Sequence, residues 1–66
     1  MALSVKQRLL LMLSNKCYEE SDAAQYYVVE LREARDVLEK QGFCRATVAA
    51  LPVKDQVELA LEALRG

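Results

Sequence analysis

Sixty-six residues are enough for one domain with a small core, and chains below about 70–80 residues rarely draw more than ~3–5 kcal/mol from such a core alone. With 53% hydrophobic and 29% charged residues, two glycines and one proline, the composition argues against disorder, because disordered chains are poor in residues that bury. Histidine is absent and there are two cysteines, so a zinc site with four Cys/His ligands cannot form within one chain.

The other props of a small fold are weighed the same way. No segment approaches the ~18 apolar residues of a membrane span. The run Leu9-Leu10-Leu11-Met12-Leu13 is shorter than a signal peptide's apolar region, and no small-residue cleavage pattern follows it closely, so the expected location is cytoplasmic. In that reducing compartment Cys17 and Cys44 are expected as buried or half-buried thiols. They bracket the longest expected helix, whose rise of about 1.5 Å per residue sets them roughly 30 Å apart, beyond the ~7 Å Cα separation that a disulfide spans. Oligomerisation or partner binding remains as a source of stability.

In chain order, the first helix is expected over about Val5–Asn15, with Ser4 as N-cap accepting from the free amides of the first turn. The second and longest spans Asp22–Gln41: Ser21 caps it, Asp22 places negative charge at the positive end of the dipole, and Gly42 stands where a left-handed C-terminal residue is wanted. The Tyr26-Tyr27-Val28-Val29 run has local strand propensity, but strong helix formers surround it and a helical reading is kept. Arg45–Leu51 is either a short helical turn capped by Thr47 or a loop. The last helix begins near Pro52, a residue suited to a first turn, and runs to about Arg65. The expected fold is therefore all-α: one domain over residues 1–66, a bundle of three or four helices with one long central helix, most simply dimeric.

Successive residues placed about 100° apart show what each helix buries. On the long helix Ala23, Tyr27, Leu31, Ala34, Val37 and Leu38 share a side, extended by Ala24 and Val28, with Arg32, Asp36, Glu39 and Lys40 opposite. Val29 falls among the charged residues, and Glu30 falls inside the apolar stripe. In the first helix Val5, Leu9, Met12 and Leu13 form the face, Leu10 widens it, and Leu11 points away. In the last, Val53, Val57, Ala60, Leu61 and Leu64 form the face, while Leu59 and Ala63 look elsewhere. A bundle of this size has one interior, so Leu11, Val29 and Leu59 are either single exposed residues, which are common, or parts of an interface.

Charge and residue types then sort the function classes. Lys6, Arg8 and Lys16 make the first sixteen residues basic, whereas residues 17–42 carry seven acids against Arg32, Arg35 and Lys40. A net charge of −1 with an acidic long helix does not suit phosphate neutralisation. A helix-turn-helix built from Cys44–Leu51 and the last helix would offer mainly Lys54, Asp55 and Gln56 to base edges, too few for readout. Catalysis lacks a histidine base, a base beside either cysteine, and a Gly-rich phosphate loop. The pair Glu19-Glu20 reads as charge complementing a helix start, and a bundle this small has little room for a ligand cleft of about 300–1,000 Å³. No cofactor and no metal are expected.

Protein recognition fits better. Tyr18, Tyr26 and Tyr27 combine an apolar ring with a polar tip, as interface residues do. Tyr27 lies in the core stripe; Tyr26 lies at its edge, toward Val29. Tyr26, Val29 and Glu33 are spaced by three and four residues, which sets them side by side with Glu33 as a rim charge. Glu30 is either solvated at the stripe's edge or pairs with a cation across an interface and sets its register. The expected function is a non-enzymatic protein-binding module, a homodimer acting as inhibitor, adaptor or regulatory subunit through Tyr26, Val29, Glu30, Glu33, Leu11 and Leu59. The alternative is a small nucleic-acid-binding regulator using the N-terminal basic residues.

Overall fold

The computed structural model describes residues 2–19 and 21–65, with Ala24 described by its backbone alone. Helix α1 (Val5–Ser14) leads into a 3₁₀ turn at Cys17–Glu19, then α2 (Ala23–Tyr26), α3 (Val28–Lys40), α4 (Arg45–Ala49) and α5 (Val53–Arg65). The fold is all-helical among the described residues. Its Cα radius of gyration, 10.9 Å, meets the ~10.8 Å expected for this length. An extent of 28 × 28 × 16 Å corresponds to two layers of helix.

Local chemistry explains most boundaries. At the start of α1 the Gln7 amide donates to Ser4 Oγ at 3.2 Å and the Ser4 amide donates to Gln7 Oε1 at 2.9 Å, a reciprocal capping box. At the end of α3, Gly42 has φ +99°, its amide donates to the Glu39 carbonyl and the Phe43 amide donates to the Leu38 carbonyl. These two bonds are the Schellman pair, which satisfies carbonyls that the helix end would leave open. The end of α1 also turns through a left-handed residue, without glycine: Lys16 sits at φ +53° and its amide donates to the Leu13 carbonyl, the inner bond of such a pair.

Three boundaries depart from expectation. The long central helix is broken at Tyr27, which has φ −109° and ψ +39° and separates α2 from α3. The cause is at hand in the Tyr26-Tyr27-Val28-Val29 run, four consecutive residues that lose χ1 freedom in a helix, at the point where helical propensity is weakest. Ser21 does not cap: Asp22 occupies the N-cap and makes no side-chain bond there. Residues 45–49 are helical, but the N-cap is Cys44 and not Thr47. The Cys44 sulfur makes no cap bond of ordinary geometry, yet the Thr47 amide and hydroxyl, then the Ala46 amide, pull its thiol below the usual range.

The core joins Leu9 and Met12 of α1, Leu31, Ala34 and Leu38 of α3, Val48 of α4, and Val57, Ala60 and Leu61 of α5. Ala34 and Ala60 are both fully buried, and small residues at such points let α3 and α5, the most extensively packed pair, approach closely. Other side chains leave their expected places. Val28, Leu10 and Leu64, assigned to core faces, are exposed, while Leu59 and Ala63, assigned elsewhere, are half-buried against the core. Cys44 is exposed and Cys17 half-buried, both as free thiols. The expected roles of Ala24 and Glu20 fall outside the described residues.

One polar side chain belongs to the interior. Gln56 accepts from Arg35 Nε at 2.8 Å and donates to the Leu51 carbonyl at 2.8 Å, fastening α3 to the α4–α5 connection. With both ends of its amide bonded, its burial carries no desolvation penalty of the unsatisfied kind. Outside the core, Arg45 donates to Asp36 and Glu39 at 2.6 and 3.0 Å, pinning α4 to α3, and Lys54 Nζ lies 5.5 Å from the centre of the Tyr18 ring. These carboxylates raise the Arg45 guanidinium's already high pKa.

Candidate functional site

The site is built on the helix break. Helix α2 is a single turn closed by the Tyr26 amide on the Asp22 carbonyl and the Tyr27 amide on the Ala23 carbonyl, with Ala23 buried beneath it. On the other side of Tyr27, α3 is anchored by Leu31, Ala34 and Leu38, spaced by three and four residues so that they share the inward face. Val29 lies two residues before Leu31 and so faces roughly opposite that stripe. The outcome is a short segment in which Tyr26, Val28 and Val29 are 70%, 44% and 55% exposed.

The side of α3 that faces α1 holds the two acids. Glu33 accepts a hydrogen bond from Arg8 Nη2 in a partly buried pair, and Arg8 Nε and Glu33 Oε1 are buried without a partner. Both orphan atoms belong to the same ion pair, so the contact is held by one bond where a side-on guanidinium would make two. Glu33 therefore ties α3 to α1, where a free rim charge was expected. Glu30, one turn before it, is half-buried and shares an open groove of about 230 Å³ with Arg8, Leu11 and Tyr27.

Of the six residues singled out in the sequence, Tyr26 and Val29 are exposed at the break, Leu11 and Glu30 line one groove, and Glu33 is paired. Leu59 is separate from them, in a different groove with Leu51, Asp55 and Glu62. Val28 was missed because a continuous helix would have placed it at the stripe's edge. Leu10, placed at the edge of the α1 face by helical period, is exposed, as is Leu3 just before the N-cap Ser4. Tyr18, grouped with the recognition tyrosines, is half-buried beneath Lys54.

The expectation of no room for a cleft is corrected too. Helices α1 and α5 leave an open groove of about 470 Å³, floored by Leu10, Leu13 and Leu61 and rimmed by Lys6, Glu58, Glu62 and Arg65. No described helix is long and apolar enough to cross a membrane, and no group of three or more His, Cys, Asp or Glu is disposed to hold a metal among the described residues. No family model, no curated protein and no solved structure matches the chain.

Proposed function

We propose that this chain is a non-enzymatic protein-binding module acting stoichiometrically as an inhibitor, adaptor or regulatory subunit of another protein. The observation that carries the reading is the exposure of Tyr26, Val28 and Val29 within four residues of one another, beside a helix whose inward face is already filled. An aromatic ring flanked by branched aliphatic side chains is the kind of anchor that fills a pocket on a partner. The partner docks on the α2–α3 break and occludes whatever its own surface would otherwise meet.

The nucleic-acid alternative has less in its favour. Arg8, one of the three N-terminal cations, is committed to Glu33. Of the polar residues at the start of α5, Gln56 is buried and bonded at both ends, and Lys54 lies over Tyr18. The test is affinity capture with nuclease treatment, comparing the natural chain with Val29→Asp. A protein retained in near-equal amount by the natural chain and lost by the variant supports the reading. A signal abolished by nuclease contradicts it in favour of nucleic acid.

A further inference from the structure

We propose that the groove between α1 and α3 receives a cationic side chain, Lys or Arg, from the bound protein, with Glu30 as its counter-charge. This site rests on the reading of Tyr26, Val28 and Val29 as a partner surface and adds the chemistry that such a partner brings beside it.

The groove has the size of one side chain. Its open volume of about 230 Å³ lies below the ~300 Å³ at which clefts for small ligands begin. Leu11 and Met12 of α1 supply an apolar wall, and Cys17 comes from the turn that follows that helix. Tyr27 and Glu30 line the other side and belong to the same stretch of chain as Tyr26, Val28 and Val29. A protein seated on that segment therefore reaches the groove as well.

The sign of the charge chooses the occupant. Arg8 is the cation on the groove wall, and it is committed to Glu33, so those two charges cancel. Glu30 is left over: it is half-buried and makes no ion pair among the described residues. The larger groove between α1 and α5 differs, because its rim carries two cations against two carboxylates and selects neither sign. A partner that covered Glu30 with an apolar or acidic side chain would strip water from a carboxylate and return nothing, which is costly. A Lys or Arg side chain answers both features of the groove. Its aliphatic stem lies along Leu11 and Met12, and its charged head meets Glu30.

Cys17 lines this groove as a free thiol and supplies a tether for the test. The Cys44→Ser chain is equilibrated with cysteamine, mercaptoethanol and mercaptopropionate in equal amounts, together with their disulfides. Intact mass spectrometry then counts the ammonium, hydroxyl and carboxylate adducts at Cys17. The ammonium-to-hydroxyl ratio should fall about two- to fivefold in Glu30→Gln, which removes the charge and keeps the shape. The carboxylate-to-hydroxyl ratio should rise in the same variant. Asp22→Asn removes an exposed acid outside the groove and should leave both ratios unchanged. Salt at about 0.5 M should lower the ammonium ratio in the natural groove too, so the outcome does not depend on how well Glu30→Gln folds. All of these ratios are read on the free chain, so they fail or stand separately from capture of a protein through Val29. An ammonium ratio indifferent to Glu30→Gln and to salt, an equal fall in Asp22→Asn, or no adduct at Cys17 would each overturn the proposal.

Discussion

The two sides of α3 have been treated differently by the fold. Toward α5 it is closed: Leu31, Ala34 and Leu38 are buried against Val57, Ala60 and Leu61, and Gln56 is bonded at both ends of its amide. Away from that face and at its start it is open, with Val28 and Val29 exposed and a break at Tyr27, while its ion pair to α1 leaves two buried atoms without a hydrogen-bond partner. The same helix thus carries a half that maintains the fold and a half left for something else. The difference teaches that the apolar residues outside the core are concentrated on particular elements and not scattered evenly.

The largest expected effect tests the closed half. Leu31→Ala should lower the free energy of unfolding by about 2–5 kcal/mol, since it opens a cavity where the side chain is 1% exposed. In a chain this small such a loss approaches the whole stability. Chemical denaturation of the natural chain and the variant measures it. An effect below about 1 kcal/mol would mean that α3 and α5 are far less tightly packed than their buried faces imply.

Next is Gln56→Ala, expected to cost about 1–3 kcal/mol, because the Arg35 guanidinium and the Leu51 carbonyl lose their partner inside a closed region. Gln56→Leu keeps the volume and should lose stability for the same polar reason. If both variants match the natural chain in a denaturant titration, water replaces the amide without penalty and the interface is wetter than described.

Smaller effects distinguish the two left-handed helix ends. An added Cβ at Gly42 would meet nothing within 4 Å, so the expected cost of Gly42→Ala, about 1–2 kcal/mol, is all backbone. Lys16→Gly should move the other way and stabilise by up to about 1 kcal/mol, since Lys16 holds φ +53° without glycine's freedom. Thermal melts of the two variants should therefore shift in opposite directions, and a shared direction would contradict the assignment of both residues to left-handed caps.

How far the fold could be read in advance follows the range of the forces involved. The Ser4 cap and the left-handed Gly42 are local devices, written within a few residues and legible in the sequence, while the reciprocal bond from Gln7 and the Phe43 amide bond appear only in the structure. The core stripes of α1, α3 and α5 come from periodicity and were largely correct. What was missed depends on contacts distant in the chain or on close competition. Gln56 needs Arg35, 21 residues away, to be worth burying. Glu33 needs Arg8, 25 residues away, to turn from rim charge into tether. The break at Tyr27 leaves a trace as strand propensity in Tyr26–Val29, but the helix formers around that run favour a continuous helix, in which Val28 falls beside the core stripe. Leu59 was misplaced because a helical wheel has no record of how wide a neighbouring element is. Of the candidate site, Tyr26 and Val29 lie exposed as their positions imply, while Glu30, Glu33, Leu11 and Leu59 separate into grooves and an ion pair that only packing could distribute.

If Val29 is surplus to folding, a circular dichroism melt of Val29→Asp will show it. Val29 is the second residue of α3, where a carboxylate interacts favourably with the helix dipole and an exposed valine contributes little. Helical content should equal that of the natural chain, with the midpoint unchanged or slightly raised. A clear loss of helix or a lowered midpoint would contradict it, because Val29 would then be part of the fold and not a residue held out for a partner.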